Sequence, residues 1–98
     1  MPTYKFTEKA EADLASIVEY TQEAWGAAQA LRYIDGFHDL ANALSIAPEM
    51  GVNRDNILTG LCVFPYEKHL LFYQKAPHGI TLVRVLHKSM DVQQHFDR

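Results

Sequence analysis

The sequence predicts an α+β domain: a short N-terminal strand, an antiparallel two-helix hairpin, and a mostly antiparallel sheet of three to four strands with a short C-terminal helix or tail. Three observations carry this expectation. Apolar residues recur at helical spacing from Ala10 to Trp25, and again from Ala27 to Ala47. Only one or two residues separate the two stretches, which implies antiparallel neighbours. Three strand-like segments then follow, with turn residues between them. Helices segregated from strands along a chain pack on one face of an antiparallel sheet, in two layers.

The first element is Thr3-Tyr4-Lys5-Phe6, which alternates and is rich in aromatics. Thr7 follows where an N-cap belongs, and Glu8 and Glu11 complement the positive end of the helix dipole. Ala10, Leu14, Ile17, Val18 and Trp25, with the semi-polar Thr21, form one stripe, leaving Asp13, Glu19 and Glu23 to face water. Gly26 is placed to end this helix in the left-handed conformation. In the second helix Ala27, Ala30, Ile34, Phe37, Ala41 and Leu44 form the stripe, with Leu31, Leu40 and Ala47 beside it and Asp35 and Asp39 outside it. Pro48 stops the helix, because it lacks a donor and restricts the residue before it. Gly36 costs about 1 kcal/mol relative to alanine in mid-helix, and close helix–helix approach is the expected reason.

Residues 48–60 read as a loop, with Pro48, Gly51, Asn53, Arg54, Asp55, Asn56 and Gly60. Leu61–Tyr66 is an apolar strand limited by Pro65. Residues 69–75 are the strongest strand, with Leu70 and Phe72 pointing one way and Leu71 and Tyr73 the other. Glu67-Lys68 fits a tight hairpin loop between them, and Ala76-Pro77-His78-Gly79 fits a type I turn. Residues 80–87 form the last strand. Simple alternation places Val83 and Val85 on one face and Ile80, Leu82, Arg84 and Leu86 on the other. Ser89 is positioned to cap a short helix over residues 90–96.

Ninety-eight residues, 48% hydrophobic and 21% charged, suit one globular domain over residues 1–98. A lone cysteine, Cys62, excludes an intramolecular disulfide and any zinc site needing two thiolates from this chain. No apolar run approaches the roughly 20 residues of a membrane helix, and Met1-Pro2-Thr3-Tyr4-Lys5 is not a secretory leader, so the cytoplasm is the expected location. The net charge of −3 is uneven: residues 1–48 carry −4 and residues 49–98 carry +1. No Lys/Arg cluster resembles the footprint of a duplex-DNA binder, so autonomous nucleic-acid binding is not expected.

Chemistry-bearing motifs are sparse. The five glycines are scattered, and neither an HExxH pair nor an Asp-rich calcium loop is present, so no cofactor and no metal is expected. Cys62 beside Val63 and Phe64 reads as packing. His69 opens one strand and His87 closes another; each is either a general base or a strand-end histidine satisfied by backbone or water. His78 in the turn and His95 in the tail are expected to be solvated. Arg84, between Leu82 and Leu86, either pairs with Asp91, Glu67 or a helix carboxylate, or marks an open face awaiting a partner. Tyr20, Trp25, Tyr33 and Phe37 place large aromatics on the helical hairpin, most in the core and one or two in an exposed apolar groove.

Phe72-Tyr73, followed by Arg84-Val85-Leu86-His87-Lys88-Ser89-Met90-Asp91, resembles the end of ParE-type toxins of bacterial type II toxin–antitoxin systems. Other segments agree in order: Ala10-Glu11-Ala12-Asp13-Leu14, Tyr20-Thr21, Trp25-Gly26 with Ala28-Gln29-Ala30, Ala47-Pro48-Glu49 with Gly51, and Gly60-Leu61 with Phe64-Pro65. The likeness covers nearly the whole chain. It implies the RelE/ParE fold and a toxin that traps the cleaved-DNA complex of DNA gyrase. It also implies a ParD-like antitoxin that folds around the toxin on binding. Such a toxin is an inhibitor with no catalytic residue of its own. The residues expected to meet the antitoxin are Leu14, Tyr20, Tyr33, Phe37, Phe72 and Tyr73. Those expected to meet the target are Arg54, Lys68, Arg84, His87, Lys88, Met90 and Asp91. The family often has an arginine pair after the glycine–leucine; here Cys62 and Val63 follow Leu61, and Arg54 is the only basic residue of the preceding loop. Two alternatives stand beside this one. One is a RelE-type, ribosome-dependent mRNA endonuclease using Arg84 and His87. The other is a non-toxic module that binds an antitoxin and serves regulation.

Overall fold

Local chemistry sets the boundaries of each element in the computed structural model, which describes residues 1–96. Strand β1 (Thr3–Phe6) leads into helix α1 (Glu8–Trp25). The Thr7 hydroxyl accepts the N–H of Ala10 at 3.1 Å and donates to the carbonyl of Val83 at 2.9 Å, so one side chain caps the helix and ties it to the sheet. Gly26 ends α1 with a positive φ of 95°, as expected, but its ψ of 166° is extended rather than left-handed helical. The chain therefore turns sharply, and helix α2 (Ala27–Ile46) begins at the next residue. Pro48 opens a 3₁₀ turn, Pro48–Met50.

Strands β2 (Val52–Asn53), β3 (Leu61–Tyr66), β4 (His69–Ala76) and β5 (Gly79–His87) follow, then helix α3 (Val92–Phe96). The sheet has five strands in the order β1-β5-β4-β3-β2, one more than the upper expectation. The addition is β2, within the segment read as loop: Val52 pairs with Val63 and Asn53 with Cys62. Two residues carry no periodic signal, so only their partner strand reveals them. β1 lies parallel to β5 and the remaining pairs are antiparallel. The Glu67-Lys68 hairpin loop is as expected; Glu67 takes a φ of 54°, the positive φ that such two-residue turns demand.

A bulge corrects the expected facing of β5. Phe72 pairs with Arg84 but Tyr73 pairs with Leu82, so Val83 is the extra residue. Alternation reverses there. Ile80, Leu82 and Val85 all enter the helix-facing core, while Val83 and Leu86 join the far face. The helix-facing core is centred on Phe37, Ala41, Leu44, Leu71 and Tyr73, with Cys62 buried among them. A second cluster of Leu61, Val63, Phe72 and Leu86 lies on the opposite face, covered by Ile57 and by Val92 and Phe96 of α3. The sheet thus has a partial third layer where two layers were expected.

Two further expectations change. Trp25 lies on the periodic stripe of α1 but is exposed, because the helix outlasts its packing: the last α1 residue against the core is Ile17. Gly36 answers a strand rather than a helix. A Cβ there would stand 2.3 Å from the hydroxyl oxygen of Tyr66, which donates to the carbonyl of Tyr33 at 2.8 Å.

Candidate functional site

Arg84 is the residue on which most of the functional alternatives turn. β1 ends opposite Leu82, so the edge of β5 beyond it lacks a strand partner. Thr7 covers the Val83 carbonyl and Asp13 covers the Val85 N–H, accepting it at 2.9 Å. The same Asp13 carboxylate takes two guanidinium bonds from Arg84, at 2.8 and 2.9 Å. This bidentate hydrogen bonding raises the Arg84 pKa against the opposing effect of burial. The Arg84 Nη1 also reaches the carbonyl of His95 at 3.4 Å, joining α3 to the arrangement. Of the partners expected for Arg84, the helix carboxylate is the one found. Arg84 therefore turns inward, and it does not stand free as a contact for a target. Asp13 was expected in water; its spacing from Ala10 and Ile17, three and four residues away, was the signal that it borders the packed stripe.

The end of the β4–β5 ladder gathers titratable groups. His69 and His87 pair directly across the strands, with ring centroids 5.4 Å apart. The Lys88 N–H donates to the Lys68 carbonyl at 3.0 Å, bringing the two lysines beside them. His69 Nδ1 lies 3.1 Å from the Tyr33 hydroxyl. His87 Nδ1 accepts the backbone N–H of Ser89 at 3.1 Å and lies 2.7 Å from its hydroxyl. Burial, and then the charges of His87 and Lys88, push the His69 pKa below its usual value. Burial is also the main reason the Tyr33 hydroxyl holds its proton far above the usual range. The strand-end histidines are thus brought together. Ser89, which was expected as a helix cap, instead anchors His87.

The residues expected to meet the target fall into separate places. Arg54, Met90 and Asp91 line a cleft of about 390 Å³ on the far face of the sheet, floored by Val63, Leu70 and Phe72. Lys68, His87 and Lys88 stand at the ladder end, and Arg84 lies inside. The residues expected to meet the antitoxin divide more sharply. Tyr20 is exposed, and Leu14 and Tyr33 are half-buried against the core. Phe37, Phe72 and Tyr73 are fully buried and serve the core, Phe72 at the floor of that cleft. Tyr73 is structural: its hydroxyl donates to the Pro48 carbonyl at 2.6 Å and accepts the Gly51 N–H at 2.9 Å. Burial pushes its pKa up to about 12. The large exposed apolar residues of the helical hairpin are Ile46, Tyr20, Trp25 and Leu31, at 70, 67, 71 and 60%. Sequence periodicity assigned the last two to packing, and only the extent of the sheet beneath them could have shown otherwise. Among the described residues no group of three or more His, Cys, Asp or Glu is placed to hold a metal.

This arrangement of helical hairpin, five-stranded sheet and short terminal helix is shared with known proteins. Residues 4–92 match the model of the ParE toxin of type II toxin–antitoxin systems. The Toxin ParE1 of Caulobacter vibrioides is 30% identical over 95 residues, covering 97% of this chain and 98% of that protein. The Toxin ParE1 of Mycobacterium tuberculosis is 32% identical over 93 residues, covering 94% and 95%. The Toxin ParE of Escherichia coli shows the same identity, with 94% of this chain and 90% of that protein covered. Among solved structures, a chain of the chromosomal ParDE system from P. aeruginosa superposes with a TM-score of 0.73 at 21% identity, covering 89% of this chain and 96% of that one. The protein belongs to the ParE toxin family of type II toxin–antitoxin systems.

Proposed function

We propose that this protein poisons DNA gyrase by stabilising its cleaved-DNA complex, acts without a catalytic site of its own, and is neutralised in the cytoplasm by direct binding of a ParD-like antitoxin. The observation that supports it most is the family match over residues 4–92. Tyr20, Trp25 and Leu31 stand exposed on the helical hairpin, apolar side chains of the kind an amphipathic segment covers. No described helix is long and apolar enough to cross a membrane. The endonuclease alternative loses support from Arg84, because a guanidinium bound twice to Asp13 is not free to stabilise a phosphate transition state.

One observation favours a second reading, the non-toxic regulatory module. Cys62 and Val63, which stand where the family often has arginines, are both buried. One experiment separates the possibilities. The purified protein is added to gyrase with plasmid and ATP, and linear, protein-linked DNA should accumulate. Unchanged supercoiling together with codon-phased mRNA cuts on translating ribosomes supports the endonuclease. Neither effect, with harmless expression in the absence of antitoxin, supports the regulatory module.

A further inference from the structure

We propose that the end of the β4–β5 ladder is a phosphate-binding site formed by Lys68, His69, His87 and Lys88. The inference is independent of the gyrase activity proposed above, because it concerns binding by this chain alone. Five observations lead to it. The four residues come from two adjacent chain segments whose register is fixed: His69 pairs with His87, and the Lys88 N–H bonds the Lys68 carbonyl. Neither lysine has an ion-pair partner among the described residues, where Arg84–Asp13 is the ion pair present. Glu67 lies in the same turn, and Asp35 and Asp39 of α2 act with it on the Tyr66 hydroxyl. Glu67 acts also on the Tyr33 hydroxyl that bonds His69, yet among the described residues none of these carboxylates forms an ion pair with either lysine.

Both histidine rings are anchored through Nδ1, which leaves each Nε2 edge for a ligand. A backbone N–H only donates, so the bond from Ser89 to His87 Nδ1 leaves that nitrogen without a proton and puts the ring proton on Nε2. His69 is held from behind through Nδ1 by the Tyr33 hydroxyl. Beyond the effect of burial, Lys88 lies close enough to disfavour a charge on His69, which places its ammonium near that ring. A tetrahedral oxyanion suits this setting. It accepts from several directions at once, and a phosphate carries between one and two negative charges for the two ammonium groups. Two sources share this chemistry: free inorganic phosphate and the phosphodiester backbone of a nucleic acid.

The test uses the full chain and its five histidines as internal probes. Imidazole ¹H–¹⁵N resonances are followed while inorganic phosphate, or separately a short DNA duplex, is added against a chloride control of equal ionic strength. His69 and His87 should move together and saturate, while His38, His78 and His95 stay in place. Saturation by inorganic phosphate alone assigns the site to free phosphate. Tighter saturation by the duplex assigns it to a backbone. The K68Q/K88Q variant should keep the resonance dispersion of the parent and bind on the order of tenfold more weakly or worse. If that variant loses dispersion, the single K88Q variant takes its place with the same expectation. The proposal is overturned if His69 and His87 do not respond, if all five histidines respond alike, or if the response survives the lysine substitutions.

Discussion

Removing the Asp13 carboxylate should cost more than removing the arginine it binds. Asp13 holds two guanidinium bonds and the Val85 N–H at distances of 2.8 to 2.9 Å, while the Arg84 and Asp13 side chains are only 14 and 16% exposed. Asp13→Ala leaves a largely buried cation and an edge N–H with no acceptor. Breaking such a pair from one side costs about 3–5 kcal/mol, and the residual exposure of Arg84 places this case near 3. Arg84→Ala leaves a carboxylate that still holds the Val85 N–H and can be reached by water, so about 1–2 kcal/mol is expected. Total stability is about 5–15 kcal/mol, and for a domain of this size each kcal/mol moves Tm by roughly 4–8 °C. Asp13→Ala should therefore lower Tm by about 12–24 °C. Urea and thermal unfolding of both single variants and the D13A/R84A double variant give the coupling, expected at about 1–2 kcal/mol, with the double variant no less stable than Asp13→Ala. A coupling below about 0.5 kcal/mol, or Arg84→Ala costing more than Asp13→Ala, would refute the account of Asp13 as the shared acceptor.

Further outcomes follow from other contacts. Gly36→Ala should destabilise by about 1–3 kcal/mol, despite the better helix propensity, because its Cβ meets the Tyr66 hydroxyl. Adding Tyr66→Phe should recover part of that loss in chemical denaturation; a purely additive double variant would argue against the contact. Tyr73→Phe strips partners from the Pro48 carbonyl and the Gly51 N–H, so a loss of about 1–3 kcal/mol should appear with faster amide exchange at Gly51. His69 has a folded pKa below its unfolded value of 6.5, so the unfolded chain takes up that proton first. Its contribution is complete above pH 6.5 and is lost as pH falls from there to the depressed folded value; His69→Gln should flatten that slope in stability measured against pH. Trp25→Ala should leave stability within about 0.5 kcal/mol, since the ring is exposed, yet weaken binding of a ParD-like antitoxin by about 30-fold in calorimetry if it is an anchor. Unchanged affinity would remove Trp25 from that interface.

What could be read from the chain was local. The Thr7 cap on Ala10, the helix ends at Gly26 and Pro48 and the Glu67-Lys68 loop each act through atoms a few residues away, and each bounds its element as its chemistry suggests. What could not be read depends on distant partners. The two-residue β2 exists only through Val63 and Cys62, and the bulge at Val83 is set by pairing with β4. Trp25 is exposed because packing stops at Ile17, although its period is unbroken. The candidate site divided along the same line. Tyr20 is exposed and the ladder-end residues are gathered together, whereas Phe37, Phe72 and Tyr73 are core. A large aromatic in the middle of an element is a good anchor and an equally good core residue, and burial alone decides between them.

The position of β5 has a consequence for how this chain is made. It lies between β1 and β4, and Thr3 near the start pairs with Gly79. During synthesis the helical hairpin has all its own residues early, but the sheet that must receive it has a gap between β1 and β4 until Gly79–His87 has emerged. Strand pairing over such a separation is slow compared with helix formation. A chain cut short before β5 holds β1 and β4 without the strand that joins them, and lacks Arg84 and Val85, the groups that Asp13 of α1 binds. Whatever activity the fold confers is therefore withheld from unfinished chains and appears only with the last strand.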